Sequence, residues 1–270
     1  MKITFLGGGN MANALIGGML KQGFAAADIT VIDPGSAARE KLERTYAVNC
    51  LETAEMLDNV GDLLVLAVKP QQMKEAVAQL AGKLGQAVVV SIAAGLDLAT
   101  LARFLGGHRK IVRCMPNTPA LIGAGITGLC PLPEVSAAER EAADCVLSAV
   151  GSTVWIDDEG RMDGVTALSG SGPAYVFLFI EALQQAAADL GFTPEQGRQL
   201  AIETVQGAAA LAAQSDEPAA VLRDRVTSKG GTTEAALNKM AEKGVKDGII
   251  AGVKAAEARG RELGKLLGAG

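Results

Sequence analysis

Residues 3–20 read ITFLGGGNMANALIGGML, an apolar strand-like run, three glycines in succession at positions 7 to 9, then apolar residues at helical spacing. Glycine inside a regular element costs about 0.5–1 kcal/mol relative to alanine, so such a cluster marks a backbone conformation or a close approach that side chains would forbid. Gly7, Gly9 and Ala12 fit the pattern G-x-G-x-x-A. Its first glycine permits the tight turn, its second lets a pyrophosphate reach the backbone, and its small third residue lets the helix lie close to the strand. The start of that helix offers unpaired N–H groups and the positive end of its dipole to the phosphates. The opening residues therefore read as the first turn of a dinucleotide-binding fold, against the plainer alternative of a merely tight turn.

Outward from this stretch the pattern continues. As far as Trp155, short apolar runs (DITVIDP, DLLVLAVKP, QAVVVSIAAG, KIVRCMPNTP, GITGLC, STVWID) alternate with segments of helical spacing. Runs of that length, rich in Val and Ile and bounded by Gly, Pro or Asp, predict buried strands. Their alternation with helices predicts a doubly wound Rossmann domain with a mainly parallel sheet over residues 1–160. Beyond Asp163 the text becomes long, alanine-rich and free of β-branched runs, which predicts an all-helical domain over residues 161–270, with Gly244 and Gly248 as breaks or close contacts. A helical half this apolar is expected to bury a face against a second subunit.

Composition bounds the function. With 49% hydrophobic and 20% charged residues the chain is globular, and its text shows no unbroken apolar run of the roughly 18 residues a membrane span needs. Met1–Gly8 has none of the features of a secretory signal, so a cytoplasmic protein without membrane attachment is expected. A net charge of −5 gives no electrostatic footprint for nucleic acid. The four cysteines, Cys50, Cys114, Cys130 and Cys145, form no Cys-x-x-Cys pair, and one histidine, His108, sits in a glycine-flanked turn. No metal site is expected, nor histidine-based acid–base chemistry.

Several further positions point to ligands. Asp33 ends the second strand in VIDPG, where the fingerprint places an acidic residue on the adenine ribose. An aspartate there bonds both hydroxyls of NAD, whereas Gly35, Ser36 and Arg39, just beyond, suit a 2′-phosphate if the aspartate turns away. NADPH and NADH both stay open on this reading. Lys69, in LAVKPQ, stands at a strand end before Pro70, as a cofactor contact or a solvated lysine. The loop CMPNTP, with prolines on either side of Asn117 and Thr118, is rigid; it positions a ring or substrate, or is a cis-proline turn. In the helical half, DGVTALSGSGPAY (163–175) and RVTSKGGTTEAAL (225–237) each place hydroxyl and glycine residues at what reads as a helix start, an arrangement that presents N–H groups to an anion. Ser228, Gly230, Gly231, Thr232 and Thr233 form a candidate carboxylate clasp, more than a simple N-cap requires.

Taken in order, GGGNMA, LAVKPQ, SIAAG, RCMPNTPALIGAG, TALSGSGPAY and TSKGGTTEAAL, spread over essentially the whole chain, resemble the Δ1-pyrroline-5-carboxylate reductases. The resemblance implies a Rossmann domain followed by a helical domain interleaved with its partner's in a homodimer, and further assembly to decamers. It implies NAD(P)H-dependent reduction of a cyclic imine to proline. Cofactor contacts are implied at Gly7, Gly8, Gly9, Asn10, Met11 and Ala12, at Asp33 and Ser36, at Ala67, Val68, Lys69 and Pro70, and at Ala94 and Asn117. Substrate contacts are implied at Ser228 and Gly230 to Thr233, with Thr233 the hydroxyl nearest the ring nitrogen, and at Glu159, which resembles an acidic residue of the family. The family commonly has proline where this chain has Lys229.

Two rival readings differ in class. A β-hydroxy acid dehydrogenase shares the domain order but needs a general base, such as a lysine on the first interdomain helix, and SGSGPAYVFLFIEALQQ (169–185) contains none. A non-catalytic NADP sensor has no need of the second anion loop at Ser228–Thr233.

Overall fold

The computed structural model describes residues 1–268. Among them an eight-stranded sheet is formed by β1 (Ile3–Leu6), β2 (Ile29–Ile32), β3 (Asn49–Leu51), β4 (Leu63–Leu66), β5 (Val88–Ser91), β6 (Ile111–Met115), β7 (Gly125–Pro131) and β8 (Gly151–Trp155), in the order 3-2-1-4-5-6-7-8. The helices α1 (Asn10–Lys21), α2 (Ser36–Tyr46), α3 (Met73–Ala78), α4 (Leu98–Phe104) and α5 (Ala137–Leu147) connect successive strands. This is the doubly wound arrangement the sequence predicts, reversing direction between β1 and β4.

Side chains alternate across the strands. Ile3, Phe5, Leu63, Val65, Val88 and Val90 enter one core beneath α1 and α5, while Leu6, Leu64, Leu66 and Val89 enter a second beneath α3 and α4. Both faces are covered, which is why the strands read as continuous apolar runs. β3, only Asn-Cys-Leu, is the strand the pattern did not predict: three residues at a sheet edge carry too little alternation to register. β7 runs antiparallel to β6 because the nine residues between them are too few for a helical crossover, whereas α5 provides one and β8 returns parallel to β7.

After a four-residue helix α6 (Met162–Val165) and a π-helical turn over Thr166–Gly170 come α7 (Gly172–Asp189), α8 (Pro194–Ala213), α9 (Ala219–Arg225), α10 (Thr232–Glu242) and α11 (Val245–Gly268). By contacts the chain forms two compact units, residues 1–171 with 256–270, and residues 172–255. This division differs from a single cut after residue 160 because α11 leaves the second unit and ends on the first. Gly244, with φ +66°, does separate α10 from α11, but Gly248 lies within α11.

The helical unit exposes Val176, Phe177, Leu178, Phe179, Leu200 and Leu211. Residues Glu159–Asp189 form a helical stretch long and apolar enough to cross a membrane by length and composition alone, although the sequence shows no unbroken apolar run. Scattered Ser, Gly and Gln residues hide it from a reading of the text.

Candidate functional site

The dinucleotide crevice opens where β1, β2 and β4 end. Gly7 has φ +103°, and a Cβ there would stand 2.7 Å from the carbonyl oxygen of Ala67, so only glycine lets the loop pass this close to the end of β4. The Gly7 amide donates to the carbonyl oxygen of Ile32, and the Ala67 amide to that of Leu6. Gly9 is the N-cap of α1, without any side-chain cap, and a Cβ on it would meet nothing within 4 Å. Gly9 and Asn10 are exposed, Met11 is half-buried, and Ala12 is fully buried in the core. Open space above an uncapped helix start fits a pyrophosphate.

A crevice of about 510 Å³ lies along this loop, lined among others by Gly9, Asp33, Thr53, Val68, Lys69 and Gln72. Lys69 is exposed within it, and Pro70 begins a 3₁₀ turn that carries the chain away. Glu52, Thr53 and Gln72 were missed by sequence reasoning; their only signal is their place beyond β3 and β4, beside the switch point.

Asp33 is turned inward. Its Oδ2 accepts from the Gly8 amide at 2.7 Å and its Oδ1 from the Gly35 amide at 2.8 Å. Nη1 of Arg39 donates to the Asp33 carbonyl oxygen at 2.7 Å, and Nη2 lies 3.5 Å from Glu52. Gly35 caps α2 with no side-chain hydrogen bond, leaving Ser36 exposed at a second open helix start.

Further along the sheet edge, Ala94 is exposed after β5. Asn117 is buried: its Oδ1 accepts from the Ile126 amide at 3.0 Å and its Nδ2 donates to the Ser169 carbonyl oxygen at 3.3 Å. It pins the loop after β6 through its side chain. No peptide bond among the described residues is cis, so the proline pair stiffens that loop through ring constraint alone.

Glu159 is committed to the protein. Its Oε1 accepts from the Leu98 amide at 2.7 Å and from Nη1 of Arg113 at 3.1 Å. Arg113, only 8% exposed in its side chain, also meets Asp163 at 3.3 Å. This ionic triad was not foreseen, because an arginine within an otherwise apolar strand gives no sign of its partners some fifty residues away.

The stretch 163–175 does not form a fresh helix start. It is helical as far as Gly170 and again from Gly172, with a bend at Ser171 between: Thr166 Oγ1 donates to the Met162 carbonyl oxygen and Ser169 Oγ to that of Val165, while the Ser171 amide closes the π turn on Thr166. The hydroxyls of Thr166 and Ser169 are thus spent on preceding carbonyls and are not presented to a ligand. The loop at 228–233 keeps the expected form. The Gly231 amide donates to the Ser228 carbonyl oxygen, Gly230 has φ +72°, and Gly231 caps α10 without a side-chain bond. The amides of Thr232 and Thr233, in the first turn, have no carbonyl to reach. Glu234 Oε2 accepts from the Gly230 amide at 2.7 Å.

The thiols stand apart from this chemistry. Burial pushes Cys50 and Cys130 up to about 11 and Cys114 well above its ordinary value, so these three stay protonated. No group of three or more His, Cys, Asp or Glu among the described residues could hold a metal ion.

A doubly wound sheet with an uncapped glycine turn at its switch point, followed by a helical region, defines a dinucleotide-dependent oxidoreductase. Residues 159–263 match the family model described as pyrroline-5-carboxylate reductase dimerisation, and residues 2–95 match NADP oxidoreductase coenzyme F420-dependent. The chain belongs to the pyrroline-5-carboxylate reductase family: it is 45% identical over 268 residues to the enzyme of that name from Pseudomonas aeruginosa, covering 99% of this chain and 98% of the other. Among solved structures it is similar to a pyrroline-5-carboxylate reductase from Coxiella burnetii, with TM-score 0.92 and 37% identity over 97% of this chain and 98% of that one. It is also similar to the Plasmodium falciparum pyrroline carboxylate reductase with NADP bound, with TM-score 0.87 and 29% identity over 98% of both chains. The helical half is thus the oligomerisation region of its family.

Proposed function

We propose that the chain reduces the C=N bond of 1-pyrroline-5-carboxylate to L-proline, the last step of proline biosynthesis, in the cytoplasm and with NADPH as cofactor. The observation that carries this reading is its end-to-end likeness to reductases of that name, with every glycine and hydroxyl of the two anion loops present.

The residues present fit the cofactor. Gly7 to Ala12 would hold the pyrophosphate on the start of α1, and Ser36 with the open start of α2 would receive a 2′-phosphate. Asp33, occupied by two main-chain amides, leaves less to offer the ribose hydroxyls of NADH, so NADPH is favoured. Ala67, Val68 and Lys69 line the crevice, and Pro70, Ala94 and Asn117 would meet the part of the cofactor that extends beyond it. NADPH, when bound, supplies the hydride.

Ser228 and Gly230 to Thr233 would hold the substrate carboxylate through hydroxyls and first-turn amides. A protonated C=N carbon is already electrophilic, so the chain has to orient the ring, and orientation alone can contribute about 7–11 kcal/mol in ideal cases. The Thr233 hydroxyl would hydrogen-bond the ring nitrogen. Glu159 braces the start of α4 through the Leu98 amide. The exposed apolar helices pair as an interleaved homodimer, the helical region of one subunit completing the site of the other, with decamers as the larger assembly.

The test is the rate of NADPH and of NADH oxidation by the purified protein with and without pyrroline-5-carboxylate. Substrate-dependent oxidation, faster with NADPH, is expected. A folded protein that binds either cofactor yet oxidises neither would overturn the assignment.

A further inference from the structure

The chain's last helix ends on the turn that follows β5. α11 carries glycine at 260, 264 and 268, roughly one per turn and on one face. Cβ atoms added there would meet Asp163, Gly95 and Thr100 respectively. At Gly264 the added Cβ would stand 3.2 Å from the Gly95 carbonyl oxygen, so any larger residue would make the turn's backbone give by a few tenths of an ångström. Gly95 itself has φ +78°, and a Cβ on it would lie 3.1 Å from Cδ1 of Leu267. Leu267 packs against the second core, and Nη2 of Arg103, in α4, donates to the Gly268 carbonyl oxygen at 2.5 Å.

The same turn is gripped from its far end. Glu159 holds the Leu98 amide, and Asp97 caps α4 through the Thr100 amide at 2.7 Å. Just before these grips Ala94 is left exposed after β5. β5 is the neighbour of β4, and the residues after β4 line the dinucleotide crevice. A dinucleotide whose pyrophosphate lies at the switch point and whose adenosine half turns toward β2 must lay its other half past β4, toward β5.

We infer that Gly264 and Leu267 are positioning residues for the nicotinamide half of the cofactor: the end of α11 sets the height of the Ala93–Leu96 turn on which that half rests. This rests on the dinucleotide reading of the crevice. Gly264→Ala pushes the Gly95 carbonyl by a few tenths of an ångström, and Leu267→Ala removes the side chain wedged against the turn.

The experiment is equilibrium binding to the full chain without substrate. NADPH is followed by its fluorescence, and adenosine 2′,5′-bisphosphate, which carries only the adenine half, by displacement of NADPH. Each variant is expected to weaken NADPH three- to tenfold and to leave the bisphosphate within twofold, with kcat changed less than the KM for NADPH. General loosening of the domain would weaken both ligands alike and overturn the inference. So would folded variants, judged by unchanged melting, that bind NADPH as the parent does. Arg103→Gln, which removes the anchor on Gly268 together with a guanidinium stacked over Phe104, replaces either variant that fails to fold, with the same selective loss expected. A parent chain that binds neither nucleotide would instead overturn the dinucleotide reading itself.

Discussion

The main-chain amide of Gly8 donates to Oδ2 of Asp33 at 2.7 Å, across the gap between the first and second strands. With Oδ1 taken by the Gly35 amide, the carboxylate fastens the glycine turn to the start of α2 and has little left for a ribose. Replacing Asp33 by Ala leaves the buried Gly8 amide without its acceptor, a cost of about 1–3 kcal/mol. The expected result is a lower melting temperature and weaker binding of NADPH and NADH by similar factors. A change in the ratio of the two affinities would show that the carboxylate reads the ribose directly.

At the open start of α2, Ser36→Glu places a negative charge where the 2′-phosphate is expected. The KM for NADPH should rise at least tenfold while that for NADH changes little, measured as separate initial-rate series.

Thr233→Ala removes one hydroxyl from the half-buried first turn of α10 and should leave the melting temperature nearly unchanged. The expected fall is ten- to a hundredfold in kcat/KM for pyrroline-5-carboxylate at saturating NADPH. Unaltered kinetics would remove Thr233 from the mechanism.

Arg113 is buried between Glu159 and Asp163. Arg113→Met strands two partly buried carboxylates, and because both keep some exposure the expected loss is near the low end for a broken buried pair, about 3 kcal/mol. Urea denaturation measures it, as a lower midpoint with the slope unchanged.

Two buried thiols, Cys114 and Cys130, and the half-buried Cys50 set an alkaline limit. Cys50 and Cys130 are pushed up to about 11 by burial in the folded chain, against an ordinary 9.0. From pH 9 upward the unfolded chain releases these protons and the folded one does not, so stability falls as pH rises between about 9 and 11. Replacing Cys50, Cys114 and Cys130 by Ala should flatten this decline in a series of melting curves.

Phe177 is 64% exposed in the isolated chain, beside Leu178 and Phe179. Phe177→Arg should shift the sedimentation coefficient toward that of a monomer and abolish activity. A mass unchanged from the parent would place the subunit contact elsewhere.

Much of this protein was legible before any coordinates. The alternation of apolar runs with helical segments defines the doubly wound sheet because each buried strand must be apolar on both faces, and G-x-G-x-x-A marks the crevice because only glycine tolerates the turn at position 7. The glycine-led helix start at Ser228–Thr233 was legible too, since Gly230 takes a positive φ and Gly231 caps α10; its hold on an anion is the proposal that the Thr233 variant tests.

What only the tertiary structure decided depends on partners far apart in the chain. Asp33 reads from the sequence as a ribose ligand or a turn residue; its bond to Gly8 turns it into a brace. Glu159 reads as a site carboxylate, yet the buried Arg113 and the Leu98 amide claim it. Residues 163–175 read as a helix start until the preceding turn of helix supplies acceptors for their hydroxyls. The descent of α11 onto Gly95 has no local signature at all, because of its five glycines only the last three meet a neighbour, and the sequence says nothing of which or what. Local periodicity and backbone freedom are properties of neighbours in sequence; the pairing of a charge or the seating of a helix is settled only when the whole chain has packed.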